Sequence, residues 1–350
     1  MNALVAVVLA WFRGMWQAWN EFWFKPQQPH TLALLRILGG GMLFYTQLIW
    51  TINQDMFLGR ASWINAQAAM LLNTSSDGGR YAWSYLYYVD SPWLIGLLNF
   101  AALVVFALLV VGYQTRTVSI LSCLITIAYC HRLTGALYGL DQINAAIATY
   151  LAVGNCGGVY SVDHWLAKQR GLLVPAATVD TNIATRLLQL HMCVIYLFGG
   201  IGKARGELWW DGSACWFAIA CKEYQSFDLT GLVRYPWFLA TLTHITLFWE
   251  VFYCFLVWPR LTRPICLLLA VAVHLGIALF LGMPTFGLMM IVGNMIFVYP
   301  ETVAAVVSLK WLHGASSESA VAPAQLENTG SRKPKVSETT LEPRVRALAQ

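Results

Sequence analysis

The stretch 94–113, LIGLLNFAALVVFALLVVGY, carries no charged side chain. About 20 apolar residues in a helix suffice to cross a hydrocarbon layer about 30 Å thick. The chain repeats this pattern. Candidate spans lie near 31–52, 94–113, 116–131, 139–154, 184–202, 237–258, 263–282 and 285–300. The expected fold is therefore an all-α integral membrane protein, a multi-span helical bundle of about eight spans. The third and fourth candidates are short, so one of them is expected to be a broken or re-entrant helix buried in the bundle. Composition points the same way. Of 350 residues, 58% are hydrophobic and 11% charged, with a mean hydropathy of +0.57. A soluble domain carries about 25% charge, which excludes an ordinary soluble enzyme, a DNA-binding module and a disordered scaffold. The net charge of +5 is to be read as topology. The partner implied is a lipid bilayer, and no nucleic acid.

The organisation along the chain has three parts. In 1–28, Phe12, Met15, Trp16, Trp19, Phe22 and Trp23 recur at spacings of three and four, which predicts an amphipathic helix lying in the membrane interface. Pro26 and Pro29 are expected to end it. The membrane domain follows over 29–302. The segment 313–350 is rich in Ser, Glu, Pro, Lys and Ala and is expected to be a disordered polar tail. Two aromatic-rich outer loops, 53–93 and 203–236, are expected to lie at headgroup level or to roof a cavity.

Lys and Arg set the orientation. With an inward N-terminus, the cytoplasmic segments hold Arg13, Lys25, Arg116, Lys168, Arg170, Arg186, Arg260 and Arg263, and the last part adds six more. The opposite segments hold Arg60, Arg80, Arg132, Lys203, Arg205, Lys222 and Arg234. That bias predicts a multi-pass membrane protein with both termini cytoplasmic.

Chemistry is expected where polar groups interrupt apolar helices, because a charge at the bilayer centre costs about 2.5–3.5 kcal/mol to insert. Arg36, within LALLRILGG, needs a partner, and Glu250 is a candidate. His131, His191, His244 and His274 lie in or beside spans. They form no metal-ligand motif, and a shared polar interior is one reading of them. The 8 cysteines contain no CxxC pair, although Cys215 and Cys221 share one loop and could bridge. Lys203 stands out at the end of QLHMCVIYLFGGIGK. Gly199, Gly200 and Gly202 let a neighbouring helix or a flat ligand approach the backbone. Loss of hydration at this depth favours the neutral amine, which can serve as a general base. The alternative is a lysine that ends a span and snorkels to the headgroups.

Five stretches together carry a resemblance. They are HRLTGALYGLDQINAAIATYL at 131–151, YSVDHWL at 160–166, RLLQLHMCVIYLFGGIGKARGELWWDG at 186–212, WEVFYCFLVWPRLTRP at 249–264 and HLGIALFLGMPTFGLMMI at 274–291. In order and spacing they resemble the HTTM (horizontally transferred transmembrane) domain, shared by vitamin K-dependent gamma-carboxylases and stand-alone bacterial membrane proteins. The likeness covers roughly 25–300 and implies a bacterial plasma-membrane protein. In the carboxylases a lysine ending a YxxxGxxK-type span deprotonates vitamin K hydroquinone. The oxygenated product then takes the gamma proton of a substrate glutamate, and CO2 adds. The resemblance thus implies Lys203 as catalytic base, with a quinone or vitamin K-like lipid as cofactor. Arg36, His131, Tyr138, Asp141, His191, Tyr196, Glu250 and His274 are the pocket positions.

Departures narrow the expectation. The animal carboxylases have two adjacent lysines where this chain has Gly202-Lys203, and a histidine where it has Thr134. A large substrate-gripping domain follows their membrane part, where this chain has 313–350, so peptide carboxylation is expected only if a partner supplies that domain. The residues leave two other classes open. One is a non-enzymatic membrane component for maturation, export or anchoring of a secreted or membrane partner protein. The other is a small-solute transporter, although no internal repeat supports it.

Overall fold

The computed structural model describes residues 2–60, 62–75, 81–172 and 177–308, and the expected tail at 313–350 lies outside them. Among the described residues the chain is helical. The helices are α1 (Asn2–Phe24), α2 (His30–Ile52), α3 (Gln54–Phe57), α4 (Ala66–Thr74), α5 (Pro92–Val111), α6 (Thr115–Arg132), α7 (Gly139–Val153), α8 (Val162–Gln169), α9 (Val179–Ala204), α10 (Glu207–Trp210), α11 (Ala214–Ala220), α12 (Pro236–Leu256), α13 (Arg263–Phe280), α14 (Pro284–Asn294) and α15 (Pro300–Val307). Proline opens α5, α12, α13, α14 and α15 in the first turn. There its missing N–H costs nothing and its fixed φ favours the helix. The gap from Lys25 to Pro29 separates α1 from α2, as the two prolines require.

Every expected span is a helix, but they are not equivalent. Five helices, α2, α5, α9, α12 and α13, are long and apolar enough to cross a membrane. The segment Pro284–Phe297 and α15 make a sixth if they count as one span, and they are bent by 115°. The break therefore falls in the last pair and not in α6 or α7. α6 is rich in hydroxyl residues and buries Ser119, Ser122 and Thr126, while α7 has only 15 residues. The two aromatic-rich loops are partly helical, through α3 and α4 in the first and α10 and α11 in the second.

The main core gathers Leu35 and Leu43 of α2, Phe106 of α5, Ile147 of α7, Met192 of α9 and Tyr253 of α12. The outward face is apolar too: Phe198, Phe255 and Leu268 are each 68% or more exposed. Large apolar side chains exposed on α9, α12 and α13 are what a lipid-facing surface requires.

Two close approaches depend on glycine. Gly112 ends α5 with φ of +73°, and a Cβ there would lie 2.2 Å from Arg36 Nη1. The space goes to the Arg36 guanidinium, which is fully buried. It donates to Leu109 O at 2.8 Å, Val110 O at 2.9 Å and Tyr160 O at 2.5 Å. Arg36 thus caps orphan carbonyls at the C-terminus of α5. The Asp163 carboxylate completes the corner by accepting from Gln114 N and Thr115 N at the start of α6. Glu250, a candidate partner of Arg36 from the sequence, is therefore not the one it takes: carbonyls at the end of α5 and at Tyr160 accept its hydrogen bonds instead. The second approach is Gly200. A Cβ there would meet Val251 N at 2.8 Å and the Glu250 carbonyl carbon at 3.1 Å, so glycine brings α9 backbone to backbone with α12.

Candidate functional site at Lys203 and Glu250

Residues 196, 199, 200 and 203 fall at i, i+3, i+4 and i+7, one face of α9. On α12, residues 246, 249, 250 and 253 do the same. The Gly200 contact brings these two faces together. Lys203 Nζ donates to Glu250 Oε2 at 2.6 Å, the one ion pair among the described residues. The carboxylate side chain is 9% exposed and the lysine 31%, so the pair lies at the edge of the bundle and opens outward. Trp209 covers it from the side, with Lys203 Nζ 5.5 Å from its ring centre. At 1.5 Å per residue, Lys203 lies about 25 Å along α9 from Arg186.

A second polar group adjoins the pair. Tyr196 OH meets His274 Nε2 at 2.7 Å. Asn294 Nδ2 donates to Tyr196 OH at 2.7 Å, and Tyr253 OH donates to Asn294 Oδ1, also at 2.7 Å. Trp249 packs on Tyr196 with ring centres 5.0 Å apart. Four helices, α9, α12, α13 and α14, thus share one hydrogen-bonded cluster. Buried polar groups normally need partners of this kind, which gives the cluster a packing role. His274 Nδ1 is the exception, being buried without a partner.

The other expected pocket residues are dispersed. Tyr138 OH bonds Thr285 Oγ1 at 2.9 Å, and Phe286, next in the chain, lies 6.0 Å from the His274 ring. That puts Tyr138 at the rim of the cluster. Asp141 accepts from Tyr138 N at 3.0 Å and caps α7. His131 Nδ1 meets the Trp83 carbonyl at 2.8 Å, His191 bonds Tyr150 OH at 2.9 Å and His244 meets the Trp210 carbonyl at 3.1 Å. The four histidines therefore have four separate surroundings, each set by its nearest helix or loop. Cys215 and Cys221 are both free thiols, so the possible bridge is not formed.

Asn294, Trp249 and Trp209 were missed by the sequence reading. Asn294 had a signal, a lone amide inside LMMIVGNMIF. Trp249 and Trp209 stood among too many aromatics to be singled out.

Comparison with family models, curated proteins and solved structures returned no match.

Proposed function

We propose that the chain is a quinone-dependent membrane enzyme of HTTM type, with Lys203 as its base. The observation that supports this most is the Lys203–Glu250 pair at 2.6 Å, set beside the buried Tyr196–His274 cluster. On this reading the bundle has about eight spans, α1 lies in the interface and both termini are cytoplasmic.

A hydroquinone lipid fits the residues at a groove rather than in a closed chamber. A Cβ at Gly199 would meet only Glu250 Oε2 at 3.5 Å and Lys203 Nζ at 3.9 Å, and one at Gly202 would meet nothing within 4 Å. This leaves a flat, glycine-lined approach from the lipid side. None of the five described cavities is lined by Lys203. The bound group supplies an acidic hydroxyl and the capacity for oxidation by dioxygen. The chain supplies the proton path. Before acting as a base, the Lys203 ammonium must give up a proton, and Glu250 Oε2 is the acceptor in reach. Glu250 then holds that proton while Nζ takes the one on the substrate hydroxyl.

The test is hydroquinone-dependent oxygen uptake and epoxide formation by the purified full chain. Wild type should show both, and Lys203→Ala should lose both. One observation favours a second reading: the ammonium is already paired and covered by Trp209, as in a purely structural tie between α9 and α12. On that reading the protein is a non-enzymatic component for maturation, export or anchoring. Wild type would then consume no oxygen, and a peptide or protein would co-purify with it.

A further inference from the structure

At the end of the bundle remote from Lys203 lies a cavity of about 560 Å³, within the usual range for small-ligand sites. It is lined by Lys25, Arg186, Arg263 and Glu301, with Asn182 and Gln189 among its walls. Its lining includes residues at the first turns of α13 and α15, and Ala177 just before α9. Residues at the starts of three helices and just past the end of α1 thus meet around it.

Three of the lining side chains are cationic and one, the exposed Glu301, is anionic. None of the three cations has a carboxylate within 4.0 Å among the described residues. The two arginines are also held in place. Arg186 donates from Nε to Phe22 O at 3.2 Å and from Nη1 to Gln189 Oε1 at 2.9 Å, and its guanidinium lies 4.5 Å over the Phe22 ring. Arg263 donates from Nε to Val257 O at 2.9 Å and from Nη2 to Trp258 O at 2.6 Å, and lies 4.6 Å over Tyr299. Arg186 Nη2 and Arg263 Nη1 have no hydrogen-bond partner among the described residues. Both guanidinium groups line the same cavity, and an anion between them would offset two like charges. A fixed pair of guanidinium forks suits a tetrahedral oxyanion better than a single point charge does.

We propose that this cavity binds a phosphate group, with Arg186 and Arg263 as its direct ligands and Lys25 at its mouth. The group can arrive on an anionic phospholipid, since basic pockets between helix ends take such headgroups, or on a soluble phosphate. The site owes nothing to the chemistry of Lys203.

The experiment uses the full chain in phosphatidylcholine nanodiscs doped with phosphatidic acid, with retained lipid read by native mass spectrometry. Phosphatidic acid should be retained about tenfold over phosphatidylcholine. Lys25→Gln and Arg263→Gln should each lower that preference by about three- to tenfold. Glu301→Gln removes the one opposing charge and should raise it severalfold, a gain that misfolding cannot imitate. Inorganic phosphate is the second probe. If it displaces the lipid with the same dependence on these variants, the source is soluble; if it does not, the headgroup is the ligand. Equal retention of the two lipids without any phosphate effect, or a preference untouched by all three substitutions, would overturn the proposal.

Discussion

Single residues decide how closely the helices of this bundle meet. Gly200 and Gly202 are two positions apart, yet one faces the α12 backbone and the other open space. Gly200→Val should destabilise the protein by about 1–3 kcal/mol through overpacking. Gly202→Ala should be neutral or slightly stabilising, because alanine is the better helix former. Chemical unfolding in mixed micelles, comparing the two variants, checks this. Arg36 gives a second test. Its fork reaches three carbonyls, a geometry that a single ammonium cannot copy. Arg36→Lys should therefore lose about 2–4 kcal/mol of stability, since hydrogen bonds to charged groups contribute about 1.5–3 kcal/mol each. A variant that unfolds at the wild-type midpoint would contradict the capping role.

At the scale of elements, α9 and α12 are the pair on which the site depends. Replacing Lys203 by Met alone leaves a mostly buried carboxylate, and replacing Glu250 by Leu alone leaves an ammonium with fewer partners. Each should cost about 1–3 kcal/mol, less than a fully buried pair because Lys203 is partly exposed. The double variant Lys203→Met, Glu250→Leu should recover much of that loss, and a double-mutant cycle on unfolding free energies measures it. Additive effects would mean that the two side chains do not interact.

Element positions were largely legible in the sequence, because apolar runs bounded by Pro26, Pro29, Pro92, Pro236 and Pro284 leave few alternatives. Side-chain partnerships were much less legible. Lys203 was visible as a charge at a span end and Glu250 as a pocket position, but Glu250 was also offered as a candidate partner for Arg36. The error has a physical reason. A buried arginine can be satisfied by carbonyls at a helix end, and the sequence does not say which helix ends come together. The motif YSVDHWL likewise turned out to supply Tyr160 and Asp163 to that same corner. The bend after Phe297 was missed because the apolar run continues through it as MIFVY at 295–299.

At the scale of the whole molecule, an apolar exterior and five long apolar helices define a bilayer environment. The two ends differ in chemistry. One gathers Lys25, Arg186 and Arg263 around a polar cavity, and the other holds Trp209, Trp210 and the Lys203–Glu250 pair. The proposed topology, with both termini cytoplasmic, puts Lys168 on the cytoplasmic side and Arg234 on the outside. In a background without accessible native cysteines, an impermeant maleimide on intact cells should label Arg234→Cys and spare Lys168→Cys. The reverse pattern would invert the topology.

The central claim is that Lys203 removes a proton during turnover of a quinol-type lipid, and chemical rescue tests it most directly. Oxygen uptake driven by vitamin K hydroquinone should fall by about 10²–10⁴-fold in Lys203→Ala, the range expected for a general base. Small primary amines added to that variant should restore part of the rate, and should leave wild type unchanged. Wild type that consumes no oxygen, or Lys203→Ala that matches its rate without any amine, would contradict the account.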